Sequence, residues 1–167
     1  MSQSIDVSRK IMTLAQAVKW RGELRQNGKK LAVTNGCFDI LHRGHAEYLQ
    51  SARNCGDALL VLINADASIR ALKGPTRPIC RAEDRAFLLA SLEYVDAVVI
   101  FDGQRCNAEL EAVKPDIYVK GGDYTVEKLD PSERSVLLAA KAEFRFIPFV
   151  PGYSTTAIIK LCESRTK

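Results

Sequence analysis

A chain of 167 residues holds one domain's worth of sequence by the usual size of roughly 100–200 residues, enough to bury a core of its own. Its composition, 47% hydrophobic and 26% charged, excludes a disordered or fibrous chain, and no apolar run approaches the roughly 20 residues that a bilayer span requires. The formal charge of +4 is too small to point to nucleic acid but suits small anionic ligands. Charged residues from Asp6 to Arg25 break up the N-terminal stretch, so no secretory leader is expected. Cys37, Cys55, Cys80, Cys106 and Cys162 are odd in number, scattered and without a C-x-x-C pair. That argues against a disulfide framework or structural zinc and for a reducing cytoplasm.

In chain order, a helix is expected over about residues 8–27, ended by Gly28, followed by a strand at Leu31–Thr34. Helical patterns at Ala46–Cys55, Ala67–Leu72, Arg81–Leu92, Ala108–Val113 and Glu133–Ala142 alternate with apolar runs at Ala58–Ile63, Ala97–Phe101, Ile117–Val119 and Phe144–Val150. A last helix is expected from Ser154. The runs are mostly continuous, as in strands buried on both faces. The alternation predicts one α/β domain over residues 1–167, an α/β/α sandwich around a five-stranded, mostly parallel sheet. Ligands bind such sheets at the carboxyl ends of the strands, which points to Thr34–His45, Asn64–Arg77, Lys120–Tyr124 and Val150–Thr156.

The common fingerprints are absent: no G-x-G-x-x-G, G-x-x-x-x-G-K-[ST], H-E-x-x-H or G-x-S-x-G occurs. Instead the first strand runs into Thr34-Asn-Gly-Cys-Phe-Asp-Ile-Leu-His-Arg-Gly-His45, which contains both histidines of the chain. Histidines at i and i+3 across the opening turn of a helix share one face at its positive end. Gly44 allows the backbone to approach a ligand there, and free N–H groups favour phosphate. Tyr153-Ser-Thr-Thr156 precedes the last helix; it reads as an N-cap and equally as a second anion site. Lys73-Gly-Pro-Thr-Arg-Pro78, with Arg70, Arg81 and Arg85 around it, is either a solvated basic loop or a stiffened phosphate-binding one. Lys120-Gly-Gly-Asp-Tyr124 is a plain turn or a close approach to a ligand, with Asp123 offering an acceptor.

The string Gly36-Cys-Phe-Asp-x-Leu-His-x-Gly-His45 resembles the His-x-Gly-His signature of the nucleotidyltransferase superfamily. That superfamily has the cytidylyltransferase-like, Rossmann-like fold related to class I aminoacyl-tRNA synthetase catalytic domains; a synthetase itself is excluded by size. Lys73-Gly-Pro-x-Arg-Pro78, Val119-Lys-Gly-Gly-Asp-Tyr124 and Pro148-Phe-Val-x-Gly-Tyr-Ser-Thr-Thr156 extend the resemblance from about Leu31 to Leu161. Together they look like the D-glycero-β-D-manno-heptose 1-phosphate adenylyltransferase subgroup, here in stand-alone form. Cytidylyltransferases of the glycerol-phosphate and choline-phosphate branch carry an arginine where this chain has Phe149, which weakens a CTP reading.

The resemblance implies transfer of AMP from ATP to a sugar 1-phosphate, giving ADP-heptose and pyrophosphate for surface-glycan precursors. His42, His45 and Lys73 are the implied catalytic residues, stabilising phosphate charge rather than abstracting a proton. Asn35, Gly36, Cys37, Phe38, Gly44, Lys120, Gly121, Asp123, Tyr153, Ser154, Thr155 and Thr156 would bind nucleotide. Asp39, Arg70, Arg77 and Arg85 are candidates for the substrate phosphate, and none of the cysteines is required. Mg²⁺ is expected with ATP, with no protein ligands assigned and no organic cofactor. Partners implied are ATP, a sugar phosphate and a separate heptose 7-phosphate kinase, with neither nucleic acid nor membrane; a homo-oligomer stays open. Pro151 and Val126–Arg134 match no motif and are expected to shape the sugar site. The competing readings are a cytidylyltransferase for a small alcohol phosphate and a non-catalytic nucleotide-binding protein.

Overall fold

The computed structural model describes residues 6–122 and 124–165. The apolar runs become strands β1 (Leu31–Gly36), β2 (Ala58–Asn64), β3 (Ala97–Phe101), β4 (Ile117–Gly121) and β5 (Glu143–Ile147). They form one sheet of order β3-β2-β1-β4-β5 in which every neighbouring pair is parallel. All seven residues of β2 are buried, whereas the edge strand β5 stays partly exposed. The run Phe144–Val150 stops short at Ile147 because Pro148 has no N–H for the ladder.

Alternate residues of the strands feed two cores. Leu31, Val33, Leu60, Leu62 and Val99 pack beneath α1 (Leu14–Gln26), α5 (Asn107–Val113) and α6 (Pro131–Ala139) through Ala17, Leu110 and Leu137. Ala32, Leu59, Val61, Ile63 and Val98 face the other way, under Leu49 of α2 (Arg43–Arg53) and Leu89 of α4 (Ala82–Ala90). This is the Rossmann-like α/β/α arrangement. Between β2 and α4 lies α3 (Asp66–Lys73), and α7 (Thr155–Arg165) closes the described chain with no buried residue.

The single helix expected over 8–27 is divided. A 3-10 turn spans Val7–Lys10, Ile11 bridges to Val98, and α1 starts afresh at Leu14. Thr13 makes the restart favourable: its hydroxyl accepts from Gln16 N while the Gln16 side chain returns to Thr13 N at 2.8 Å. At the other end Asn27 caps and Gly28, at φ +67°, turns the chain out.

The order of the strands reverses between β1 and β4, since β1 is joined to β2 on one side and β4 on the other. The carboxyl ends of these two strands therefore open a crevice, the place where such sheets bind ligands.

Candidate active site

A cleft of about 880 Å³ occupies that crevice. Its floor begins where β1 leaves the sheet. A Cβ on Gly36 would lie 2.9 Å from the Phe38 ring, so the turn needs glycine there. Phe38 itself adopts φ +46° and is 6% exposed, its ring 5.2 Å from that of His45.

His42 is the N-cap of α2, its Nδ1 accepting from His45 N at 3.3 Å. That bond leaves the proton on Nε2, so the neutral ring has one N–H to offer the cleft. The two imidazoles stack with centroids 3.8 Å apart. Burial lowers both pKa values, and for His45 the nearby His42 and Lys73 add to the burial while the Ile40 backbone opposes it, leaving about 4. Both rings are thus neutral at pH 7, at a helix start whose dipole favours anions, and His42 has its Nε2–H to offer there.

The second helix start meets the first. A Cβ on Gly44 would come within 2.9 Å of the Tyr153 Cβ, so glycine permits α2 and the loop before α7 to touch. Tyr153 lies 6.3 Å from His42 ring to ring, and the Arg43 guanidinium stands 5.9 Å from its centroid. Ser154 Oγ accepts from Ala157 N at 3.1 Å and Thr155 and Thr156 line the cleft. The residues at the start of α7 thus cap the helix and line the cleft at once.

Lys73 ends α3 and lines the cleft, after which Gly74 takes φ +96°. The loop that follows is tied down by Asp39, which is 3% exposed. Its Oδ2 accepts from Arg77 Nε at 2.6 Å and its Oδ1 from the backbone N of Ile79 and Cys80 at 2.8 and 2.9 Å. Asp39 and Arg77, candidates for the substrate phosphate from their sequence, are engaged with each other and fasten the lysine loop to the histidine segment. Arg85 is likewise placed as a brace. It has no exposed surface, and its guanidinium donates to Cys80 O, Cys37 O, Asn64 O and Asp66 Oδ1 at 2.7–2.9 Å. Arg70 is exposed on α3 and does not line the cleft. The carbonyl of Cys37 is held by Arg85 while its thiol faces Asn64.

On the far wall, Lys120 and Gly121 reach the cleft from the end of β4. Burial lowers the pKa of Lys120, and its ammonium sits between the rings of Tyr118 and Tyr124 at 5.6 and 5.7 Å. Asn35 Oδ1 accepts from it at 2.8 Å. Gly122, at φ +106°, lies under Phe149, whose ring would be 2.5 Å from a Cβ there. Phe149 is 71% exposed and lines the cleft. Asp123 lies outside the described residues.

Several lining residues had no motif to announce them. Gln104 and Arg105 come from the loop after β3, where Arg105 pairs with Asp130 at 2.9 Å; the carboxyl-end rule applies to that strand as well and would have found them. Tyr48, whose hydroxyl bonds Thr34 and Val119 O, and Glu133 of α6 reach the site only through tertiary packing. Among the described residues, no three His, Cys, Asp or Glu converge to hold a metal ion, and no helix is long and apolar enough to cross a membrane.

Residues 33–161 match the family described as cytidylyltransferase-like. The chain is 51% identical over 142 residues to the bifunctional protein HldE of a Nitratiruptor species, covering 85% of this chain and 29% of that protein. It is 41% identical over 160 residues to the bifunctional protein HldE of Koribacter versatilis, covering 95% of this chain and 32% of that one. The chain thus spans under a third of the length of these curated relatives. Among solved structures, the lipopolysaccharide core biosynthesis protein from Thermoplasma volcanium superposes with a TM-score of 0.60 at 29% identity, covering 74% of this chain and 98% of that one.

Proposed function

The chain belongs to the cytidylyltransferase-like family of nucleotidyltransferase enzymes, and from that premise we propose that it adenylates a heptose 1-phosphate. A phosphate oxygen of D-glycero-β-D-manno-heptose 1-phosphate attacks the α-phosphorus of ATP, forming ADP-heptose and releasing pyrophosphate. The observation that carries the reading is the convergence of two helix starts, His42–His45 and Tyr153–Thr156, on one crevice with Lys73 and Lys120 at its walls. The resemblance to bifunctional HldE proteins supports the substrate class.

The nucleophile is already an anion, so no strong base is needed, and catalysis reduces to positioning and charge stabilisation. Neutral His42 and His45 suit this: they donate N–H bonds to the α-phosphate oxygens without removing a proton from the acceptor. Lys73 neutralises the incoming sugar phosphate and aligns it with the triphosphate. Phe149, lying on Gly122, offers a flat apolar face for a purine. Magnesium would arrive with the nucleotide and would neutralise phosphate charge there: among the described residues, the carboxylates that line the cleft, Asp39 and Glu133, are engaged by Arg77 and by Tyr118. The use of ATP suits a cytoplasmic site of action; a heptose 7-phosphate kinase activity would install the 1-phosphate, and hydrolysis of the 7-phosphate would then leave the heptose 1-phosphate used here.

The decisive test is a pyrophosphate-release screen of ATP, CTP, GTP and UTP against sugar and alcohol phosphates. ATP with the heptose 1-phosphate is expected to give the highest kcat/KM. Preference for CTP with glycerol 3-phosphate, or nucleotide binding with no release, would overturn the proposal.

A further inference from the structure

The mechanism above leaves a buried acid beside the cleft without a role. Glu133, in the first turn of α6, is 6% exposed and lines a site made for polyanions. A carboxylate in that position repels the ligands it faces, and its burial costs free energy unless it is paired. Its partners account for it. Tyr118, with no exposed surface, hydrogen-bonds to Glu133 Oε1 and approaches Asn35 Oδ1 at 2.8 Å. Lys120, two residues along the same face of β4, donates to Asn35 Oδ1 at 2.8 Å and to the Tyr118 hydroxyl at 3.1 Å. Its Nζ is 3.5 Å from Glu133 Oε1. Asn35 Nδ2 in turn donates to Cys106 Sγ at 3.1 Å, which fixes the amide's orientation.

A lysine has four carbons of free rotation, and a wandering ammonium does little for a reaction that depends on charge held in place. Here three acceptors from β1, β4 and α6 take hold of it. The acid also links α6 to the crevice directly, beside the Asp130–Arg105 pair at the start of the same helix.

We propose that Glu133 is a positioning residue for nucleotidyl transfer: acting directly and through Tyr118, it pins the Lys120 ammonium at the cleft wall where the nucleotide phosphates are bound. The inference rests on the reading of the cleft as a nucleotidyltransferase site.

The test is a double-mutant cycle of Glu133→Gln and Lys120→Met in the full chain, with melting temperature and circular dichroism to confirm folding. Pyrophosphate release is measured with ATP and heptose 1-phosphate, and ATP binding by calorimetry. Each single variant should lose at least about tenfold in kcat and about threefold in ATP affinity, while the double variant is no worse than Lys120→Met. Glu133→Asp should recover part of the loss. A brace serving the fold alone would lower the melting temperature and leave kcat and ATP affinity unchanged, which would overturn the proposal. So would losses that multiply in the double variant. If Glu133→Gln fails to fold, Tyr118→Phe takes its place in the cycle with the same expectations. A wild-type chain that binds ATP but releases no pyrophosphate would sink the substrate assignment; the cycle in ATP affinity then decides the Glu133 inference by itself, non-additive losses upholding it and independent or absent losses overturning it.

Discussion

The cleft has two banks, and they are built differently. On the α2 bank, Leu49 and Ala52 are in the core, Phe38 is buried, and Asp39 and Arg85 fasten the surrounding loops to one another. On the α7 bank nothing is buried: Phe149, Tyr153 and Leu161 are 71, 40 and 52% exposed. The difference separates two tasks. Stabilising charge in a transition state requires dipoles that do not reorganise, and of these two banks the packed one supplies them. Embracing a nucleotide requires surface that is still free, and only the open bank has it. Substitutions on the packed bank should therefore harm folding or kcat, and those on the open bank should harm affinity.

The largest effect is expected from Arg85→Ala. Three backbone carbonyls and the Asp66 carboxylate would lose a fully buried partner, so urea unfolding should show a loss of about 3 kcal/mol or more. A variant as stable as wild type would mean that the packed bank does not depend on this brace. Next comes His45→Ala, and His42→Ala beside it: each should lower kcat at least about a hundredfold while the protein stays folded. Near-normal turnover in folded His45→Ala would remove the histidines from the chemistry.

Lys73 tests the boundary between the banks, since it lines the cleft from the end of α3. Lys73→Met keeps the stem and removes the charge; a loss of roughly thirtyfold in kcat with a smaller change in ATP affinity is expected if the ammonium acts on charge that develops during transfer. An unchanged kcat with weaker ATP binding would reassign it to nucleotide holding. On the open bank, Phe149→Ala should weaken ATP binding by about tenfold, the scale of one lost base–aromatic stack, and leave kcat and the melting temperature near wild type. Calorimetry and steady-state kinetics on the same preparation separate the two effects.

Much of this contrast is legible in the sequence, and the reasons are physical. Buried strands betray themselves as apolar runs: Ala97–Phe101 coincides with β3, and β1, β2 and β4 extend the expected runs by only one or two residues. Both helix starts can be found because histidine, glycine, serine and threonine at those points serve local backbone needs. What cannot be read depends on contacts across the chain. Ile11 breaks the N-terminal helix by bridging to Val98, a partner no local periodicity announces. Arg77 looks like a phosphate ligand until Asp39, 38 positions away, is found holding it. Glu133 and Tyr118 meet only because α6 packs over the end of β4. The exposure of α7 is equally invisible, for its apolar residues read as an ordinary packed helix.

The smallest effect expected is also the most diagnostic for the packed bank: its response to acid. Burial holds His45 at about 4 against an ordinary 6.5, and lowers His42 in the same direction. Between these values the unfolded chain binds protons that the folded chain refuses, so stability rises with pH across this range. The contribution is complete above about pH 6.5 and is lost as the pH falls towards 4. Because the ring is only partly shielded from solvent, the difference between about pH 7.5 and about pH 5 should be about 1 kcal/mol rather than the full linkage value. Other groups titrate in the same range, so the measurement is the gap between wild type and His45→Asn in urea unfolding, which should narrow in the wild type's disfavour as the pH drops. A gap independent of pH would mean that His45 is not held neutral by burial. Saturating ATP supplies the opposite influence: phosphate charge beside the imidazoles raises their proton affinity, so nucleotide binding should take up protons near about pH 5 and restore part of the lost stability. If ATP leaves the acid sensitivity of the wild type untouched, the phosphates do not lie against this pair, and the histidines face something other than the nucleotide.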